Sequence, residues 1–135
     1  FSAFTLMLQC TVVTPEQTVY DASAEFIALN LEDGEIGIAA GHTPLIGRLG
    51  VGEMRIRQGD KTDRYYVEGG FVEVRDDVVT VLTQKAIVAT EIDAEVARER
   101  LETALARPAT NAEALAARDR AVRQARAQMH IAERA

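Results

Sequence analysis

The chain changes its hydrophobic period once, near Thr90. Before that point the apolar residues come in short runs rich in β-branched and aromatic side chains: FTLMLQCTVV, EFIALNLE, GEMRIR, RYYVEGGFVEV and DVVTVLT. Runs of this length and composition read as strands. GEMRIR alternates strictly, with Met54 and Ile56 on one face and Glu53, Arg55 and Arg57 on the other. Breaks come often, at Thr14-Pro15, Asp33-Gly34, Gly41, Gly50, Gly52, Gln58-Gly59-Asp60, Gly69-Gly70 and Asp76-Asp77. Many short strands divided by such turns predict an antiparallel sandwich or barrel.

After Thr90 the pattern is helical. EIDAEVARERLETALARP has no glycine and sets Ala97, Leu101, Ala104 and Leu105 on one face. Asp93 is placed as the N-cap and Pro108 as the stop. Thr110-Asn111-Ala112-Glu113 has capping-box spacing and opens a second helix through ALAARDRAVRQARAQMHIAERA. The short connection predicts an antiparallel pair. The second helix offers a thin apolar face of Leu115, Val122, Ala125, Met129 and Ala132. At ~25 cal/mol per Å2 that face gains little from packing. A helix this polar is mobile, completed by another chain, or a solvated helix resting on its neighbour. The expected fold class is α+β: an N-terminal antiparallel β-sandwich followed by a C-terminal antiparallel two-helix hairpin.

Composition sharpens this picture. Of 135 residues, 47% are hydrophobic, enough for a real core. No apolar run approaches the ~20 residues of a membrane helix, and FSAFTLMLQC lacks the basic leader and cleavage site of a signal peptide. Cys10 is the single cysteine, so no internal disulfide forms, and its apolar surroundings predict a buried, inert thiol. The net charge of -6 is unevenly spread. Residues 1–90 carry 13 acidic and 7 basic side chains, and residues 91–135 carry 8 of each. An acidic first part argues against nucleic acid or anionic lipid and suits a basic partner surface. Residues 108–135, with five arginines against three acids, suit an acidic one.

Catalytic chemistry is hard to assemble. Histidine is limited to His42 and His130, and nothing has zinc-ligand spacing, so neither metal nor cofactor is expected. Ser2 and Ser23 lack the nucleophile-elbow sequence, and both phosphate-loop fingerprints are missing. Asp33 and Glu35 read as solvated turn acids. In EDGEIGIAAGHTPLIGRLG the glycines follow from strand reversals. Asp33-Gly34 is a hairpin turn whose two positions accept positive φ, Gly37 and Gly41 permit bends, and the residue before Pro44 is extended. Glu35 and His42 are expected to share one end of the sandwich, where loops make contacts.

DGEIGIAAGHTPLIGRLGVGEMRI and GGFVEVRDDVVTVLTQKAIVATEID resemble the epsilon subunits of rotary, proton-translocating ATP synthases, and VVTPEQTVYDASAEFIALN is similar to the first strands of that family. The resemblance covers nearly the whole chain. It implies a non-catalytic central-stalk subunit that couples rotation of the c-ring to ATP synthesis. It would lie on the cytoplasmic face of a bacterial inner membrane without inserting into it. Residues 1–90 would form a sandwich that binds the gamma subunit and the c-ring. Residues 91–135 would form a mobile regulatory hairpin that restrains ATP hydrolysis at the catalytic alpha and beta subunits. By the same resemblance Asp33, Gly34, Glu35 and His42 would face the c-ring, and Arg118, Arg120, Arg123 and Arg126 would meet the catalytic head. Some members bind ATP through an I/L-D-x-x-R-A motif. Here Ile92, Asp93 and Ala97 match it, but Val96 stands in the arginine position, which predicts weak binding or none. Ala40 replaces a usual proline, and Ala86-Ile87 lacks an acidic residue often found there. A stand-alone nucleotide-sensing or ligand-binding sandwich is the alternative.

Overall fold

In the computed structural model, which describes residues 6–134, the chain forms ten strands and then two helices. The strands are β1 Leu8–Val13, β2 Thr18–Ala24, β3 Phe26–Leu31, β4 Gly34–Ala39, β5 Leu45–Arg48, β6 Val51–Gln58, β7 Lys61–Glu68, β8 Phe71–Arg75, β9 Val78–Leu82 and β10 Lys85–Val88. A 3-10 turn over Ala89–Glu91 leads to α1 Ala94–Ala106 and α2 Ala112–Arg134. Residues 1–5, which include Ser2 and the first two residues of the opening apolar run, and the terminal Ala135 lie outside the described residues.

The strands make two five-stranded sheets, ordered β2-β1-β9-β8-β5 and β10-β7-β6-β3-β4. All ladders are antiparallel except the parallel pair β1–β9. Alternate residues turn inward and meet in one core, where Cys10 and Val12 of β1 join Ile27 and Leu29 of β3 and Met54 and Ile56 of β6, all buried. Burial, helped by the nearby negative charge of Asp21, pushes the Cys10 thiol up to about 12, so it is inert at neutral pH.

The run RYYVEGGFVEV divides at its glycine pair: β7 belongs to one sheet and β8 to the other. Gly69 and Gly70 both have positive φ, and a Cβ on Gly70 would lie 1.8 Å from the Leu82 carbonyl oxygen. Only glycine passes there. Asp76 and Asp77 form the two-residue β8–β9 turn with φ of 51° and 61°, the left-handed pair such a hairpin needs. At the β3–β4 hairpin the expectation is corrected by one residue. Leu31 pairs with Gly34, so Glu32 and Asp33 are the loop and only Gly34 takes positive φ.

The Asp93 carboxylate caps α1, accepting from the backbone N–H groups of Glu95 (2.9 Å) and Val96 (3.3 Å). The cap of α2 is Asn111, whose Oδ1 accepts from the Ala114 N–H at 2.7 Å, one residue later than the capping box expected at Thr110. Ala97, Ala104 and Ala125 are buried in the hairpin, where small side chains let the helices approach closely. Leu105 and Leu115, expected inside, are exposed, and the buried face of α2 includes Gln128 and Ile131 instead. No helix among the described residues is long and apolar enough to cross a membrane.

Candidate functional site

The structure separates residues that the sequence reading had joined. Glu35 lies at the start of β4, and His42 follows its far end, so the strand's length stands between them; at ~3.3 Å per residue this is about 16 Å. The Glu35 end is acidic and open. Glu32, Asp33, Gly34 and Glu35 are exposed there, with Arg48 3.8 Å from Glu32 and Arg55 3.7 Å from Glu35 as loose counter-ions. At the other end the Asp77 carboxylate accepts from the Gly41 N–H at 2.7 Å, tying the β8–β9 turn to the loop that carries His42. The His42 ring lies with Nδ1 2.7 Å from the Thr43 carbonyl oxygen, half-buried and away from the Glu35 acids. The length of β4 thus sets His42 apart from Asp33, Gly34 and Glu35.

The outer face of the first sheet is open to solvent and mixed, with large apolar side chains set among Arg48, Glu73 and Arg75. Phe71 stands opposite Leu82 and Arg48, and Ile46, two residues before Arg48 on the edge strand, stands opposite Glu73. Ile46 is 75% exposed, Leu82 52% and Phe71 49%. The Arg48 guanidinium covers the Phe71 ring at 5.5 Å from its centre. The sequence signal was the alternation in FVEV and VVTVL, which puts Phe71 and Leu82 on the side facing away from the core.

The outer face of the second sheet is covered by the hairpin. Tyr66, Ala89 and Ile131 form a small buried cluster beneath α2, flanked by Val51, Ile87, Ile92 and Ala127. Beside it Glu53, one of the outward residues of GEMRIR, is only 9% exposed. Its carboxylate accepts from Arg55 Nη1 at 2.9 Å and from Arg64 Nε at 2.6 Å, and Arg134 of α2 stands 3.9 Å away. Arg64 also donates through Nη2 to the Ile131 carbonyl at 3.4 Å. Burial raises the Glu53 carboxyl, but the bonds from Arg55 and Arg64 and the charges of Arg64 and Arg134 outweigh it and hold the group below the ordinary glutamate range. Tyr66 donates to Glu68 at 2.6 Å, and its hydroxyl is pushed up by burial and by that carboxylate. None of these residues carried a signal in the sequence, because an alternating strand marks which face is polar but not what lies upon it.

The four arginines of α2 fall in different settings. Arg120, Arg123 and Arg126 are exposed, whereas Arg118 is half-buried with its Nε lacking a partner among the described residues. Arg120 and Arg123 line a cleft of about 790 Å3 opposite Glu32, Gly34 and Glu68, at the Glu35 end of the sandwich. The residues of the degenerate nucleotide motif are occupied structurally. Ile92 packs on the Tyr66 cluster, Asp93 caps α1, and Ala97 lies in the hairpin seam. Val96 faces a second cleft, of about 530 Å3, with Lys85, Arg100 and Arg107. Arg100 donates there to Gln128 Oε1 at 3.3 Å, whereas Arg98 turns away to Glu95 and Glu133.

The family model of the ATP synthase delta/epsilon chain β-sandwich domain matches residues 7–89. An ATP synthase epsilon chain of Rhodopirellula baltica is 44% identical over 124 residues, which is 92% of this chain and 97% of that one. One of Bacillus subtilis is 42% identical over 101 residues, 73% of this chain and 76% of its own. A chain in a solved structure of the Euglena gracilis mitochondrial ATP synthase, comprising OSCP, F1 and c-ring, superposes with a TM-score of 0.82 at 25% identity, covering 89% of this chain and 78% of that chain. A chain of the Tetrahymena thermophila mitochondrial ATP synthase central stalk and c-ring shares the fold, with a TM-score of 0.74 at 15% identity over 96% of this chain and 99% of that one. Sandwich, hairpin and end-to-end similarity agree: this chain belongs to the ATP synthase delta/epsilon chain family.

Proposed function

We infer that the chain is a central-stalk subunit of a rotary ATP synthase that transmits c-ring rotation to the catalytic head without doing chemistry itself. The observation that carries this reading is end-to-end similarity to epsilon chains, with 97% of the Rhodopirellula baltica relative matched. The relatives and the solved neighbours belong to such assemblies, which favours this reading over a stand-alone ligand-binding sandwich. A bacterial member would sit on the cytoplasmic face of the membrane through its partners. The surfaces divide the work by chemistry. The exposed acids Asp33 and Glu35, with the Gly34 turn, suit basic polar loops of a c-ring. The exposed apolar side chains of Ile46, Phe71 and Leu82 suit a stable protein contact, for which the gamma subunit is the partner. Exposed Arg120, Arg123 and Arg126 suit an acidic surface on the catalytic head, reached when the hairpin leaves the sandwich. Arg118 is the least available of the four because it is half-buried, with its Nε covered.

The test is a pump assay on the reassembled complex. Glu35→Ala should leave the melting temperature of the isolated chain within about 2 °C, since exposed substitutions usually change stability by less than ~0.5 kcal/mol. Protons pumped per ATP hydrolysed should fall. His42→Ala, at the opposite end of β4, should leave this ratio unchanged. Full coupling in the Glu35→Ala complex would overturn the c-ring assignment.

A further inference from the structure

The attachment of α2 poses a problem that its composition does not solve. The apolar footing is small: Tyr66, Ala89 and Ile131 at its centre. A helix held by so little should slide or fray. The last turn of any helix also presents carbonyls without intrahelical donors, and it carries the negative end of the helix dipole. At the end of α2 one such carbonyl, that of Ile131, is met by Arg64 of β7. Arg64 is a forked donor, and its Nε is engaged by Glu53. The fork is thereby fixed in the orientation that reaches the helix.

We propose that Glu53 is the positioning residue of the docked hairpin, aiming Arg64 at the last turn of α2 and drawing Arg134 of that turn onto the sheet. This rests on the reading that the hairpin leaves the sandwich, and it names what holds the docked state. Four features support it. Glu53 is on the outward face of β6, where alternation leads to solvent, yet it is almost fully covered. Both of its oxygens are engaged, Oε1 by Arg55 and Oε2 by Arg64. The charged groups that face it come from each element around it: Arg55 on its own strand, Arg64 on β7 and Arg134 on α2, with Glu35 of β4 sharing Arg55. Finally, an ionic attachment suits a reversible contact. On release Glu53 and Arg64 remain neighbours on β6 and β7 and are rehydrated, so neither charge is stranded in an apolar environment.

Hydrogen exchange on the full chain, followed by mass spectrometry, tests the assignment. Glu53→Gln should speed exchange of amides in residues 120–134 about tenfold while amides of β8 and β9 keep their rates. Arg134→Gln removes the helix side of the same contact from an exposed position, so it keeps the test readable should Glu53→Gln fail to fold. It should act in the same direction with a smaller effect. The double variant should fall short of the product of the two, because both remove one shared interaction. Arg134→Lys, which keeps the charge, should leave α2 exchange close to that of the natural chain, unlike Arg134→Gln. Unchanged α2 exchange in either single variant would overturn the proposal, as would acceleration spread equally over β8 and β9. Assembled ATP synthase carrying Glu53→Gln separates this from the wider functional reading. Faster α2 exchange with unaltered ATP hydrolysis upholds the role of Glu53 and removes the inhibitory role of the hairpin instead.

Discussion

The two outer faces of the sandwich are built on opposite principles. One, on the first sheet, is open to solvent, with Ile46, Phe71 and Leu82 presented there among Arg48, Glu73 and Arg75. The other, on the second sheet, is charged and covered, with Glu53 and Arg64 beneath α2. Large apolar side chains presented to solvent mark a surface that another protein covers. The strength of such a contact scales with area and suits a lasting partner. A charged face under a polar helix is different: its groups are satisfied by each other when the helix is on and by water when it is off. The same small sandwich thus has one surface suited to staying bound and another suited to letting go.

The largest expected effect comes from breaking the bare face. Phe71→Asp combined with Leu82→Asp should leave the fold intact, because both side chains are half-exposed already. Binding of the gamma subunit should fall by about 3–5 kcal/mol, at least a hundredfold, as measured by titration of purified subunits. Unaltered binding would assign gamma to a different surface.

Removing the covered face's lid is the next test. We expect residues 1–90 to fold alone, since the sandwich core of Cys10, Ile27, Met54 and Val81 draws nothing from the helices. Calorimetry should give one cooperative transition, lowered by no more than about 3 kcal/mol of stability, the scale of a few buried side chains. A fragment without a transition would mean that the hairpin belongs to the core.

Acid should loosen the covered face selectively. The Glu53 carboxyl is held below its ordinary range in the folded chain, so its contribution is fully present above the unfolded value of about 4.3 and is lost as pH falls through the folded one. Methyl NMR signals of Ile131 should therefore shift between pH 5 and 3 before those of Val72 and Val81 in the sandwich core. Arg55, Arg64 and Arg134 stay charged throughout, and protonation leaves them repelling one another. Simultaneous loss of all three signals would deny the face its separate response.

The smallest effect concerns the cleft beside Val96. Calorimetry with Mg-ATP should find binding weaker than millimolar in the natural chain. Val96→Arg should strengthen it by roughly 1.5 kcal/mol, about tenfold, by restoring one charge-assisted contact. Submillimolar binding that vanishes in Arg100→Ala would instead assign the anchor to Arg100, which shares the cleft.

What was legible in the sequence follows from how many neighbours a strand has. The runs singled out from their apolar pattern supplied β1, β3, β6, β7, β8 and β9, which all have strands on both sides. The four strands without such a run, β2, β4, β5 and β10, are the four sheet edges. An edge strand is half solvated, so TVYDASA, GEIGIA, LIGR and KAIV do not accumulate the residues that mark a central strand. The β2 segment was reached only by resemblance. In the candidate site, the acids at 33 and 35 were visible because they sit at a turn, and the mismatch at Val96 was visible because a motif is local. The separation of Glu35 from His42 was not, because GEIGIA looked like a series of turns until its pairing with β3 made it one extended strand. Glu53 escaped notice for a different reason: its burial comes from Ile131 and Arg134, far along the chain, and no local period encodes that.

The parallel pairing of β1 with β9 has a consequence in time. Gln9 is registered against Val78 and Val13 against Leu82, so β1, an inner strand of the first sheet, waits for a neighbour made some 70 residues later. A ribosome adding roughly 5–20 residues per second needs several seconds to supply it. Until then β1 can pair only with β2, and a lone hairpin is marginal in water. The second sheet can assemble β3, β4, β6 and β7 from consecutive or nearly consecutive segments in that interval. Synthesis of the chain therefore orders its folding: four strands of the sheet destined to carry the hairpin can pair before β9 is made, the first sheet closes only when β9 has left the ribosome, and β10 joins the second sheet last.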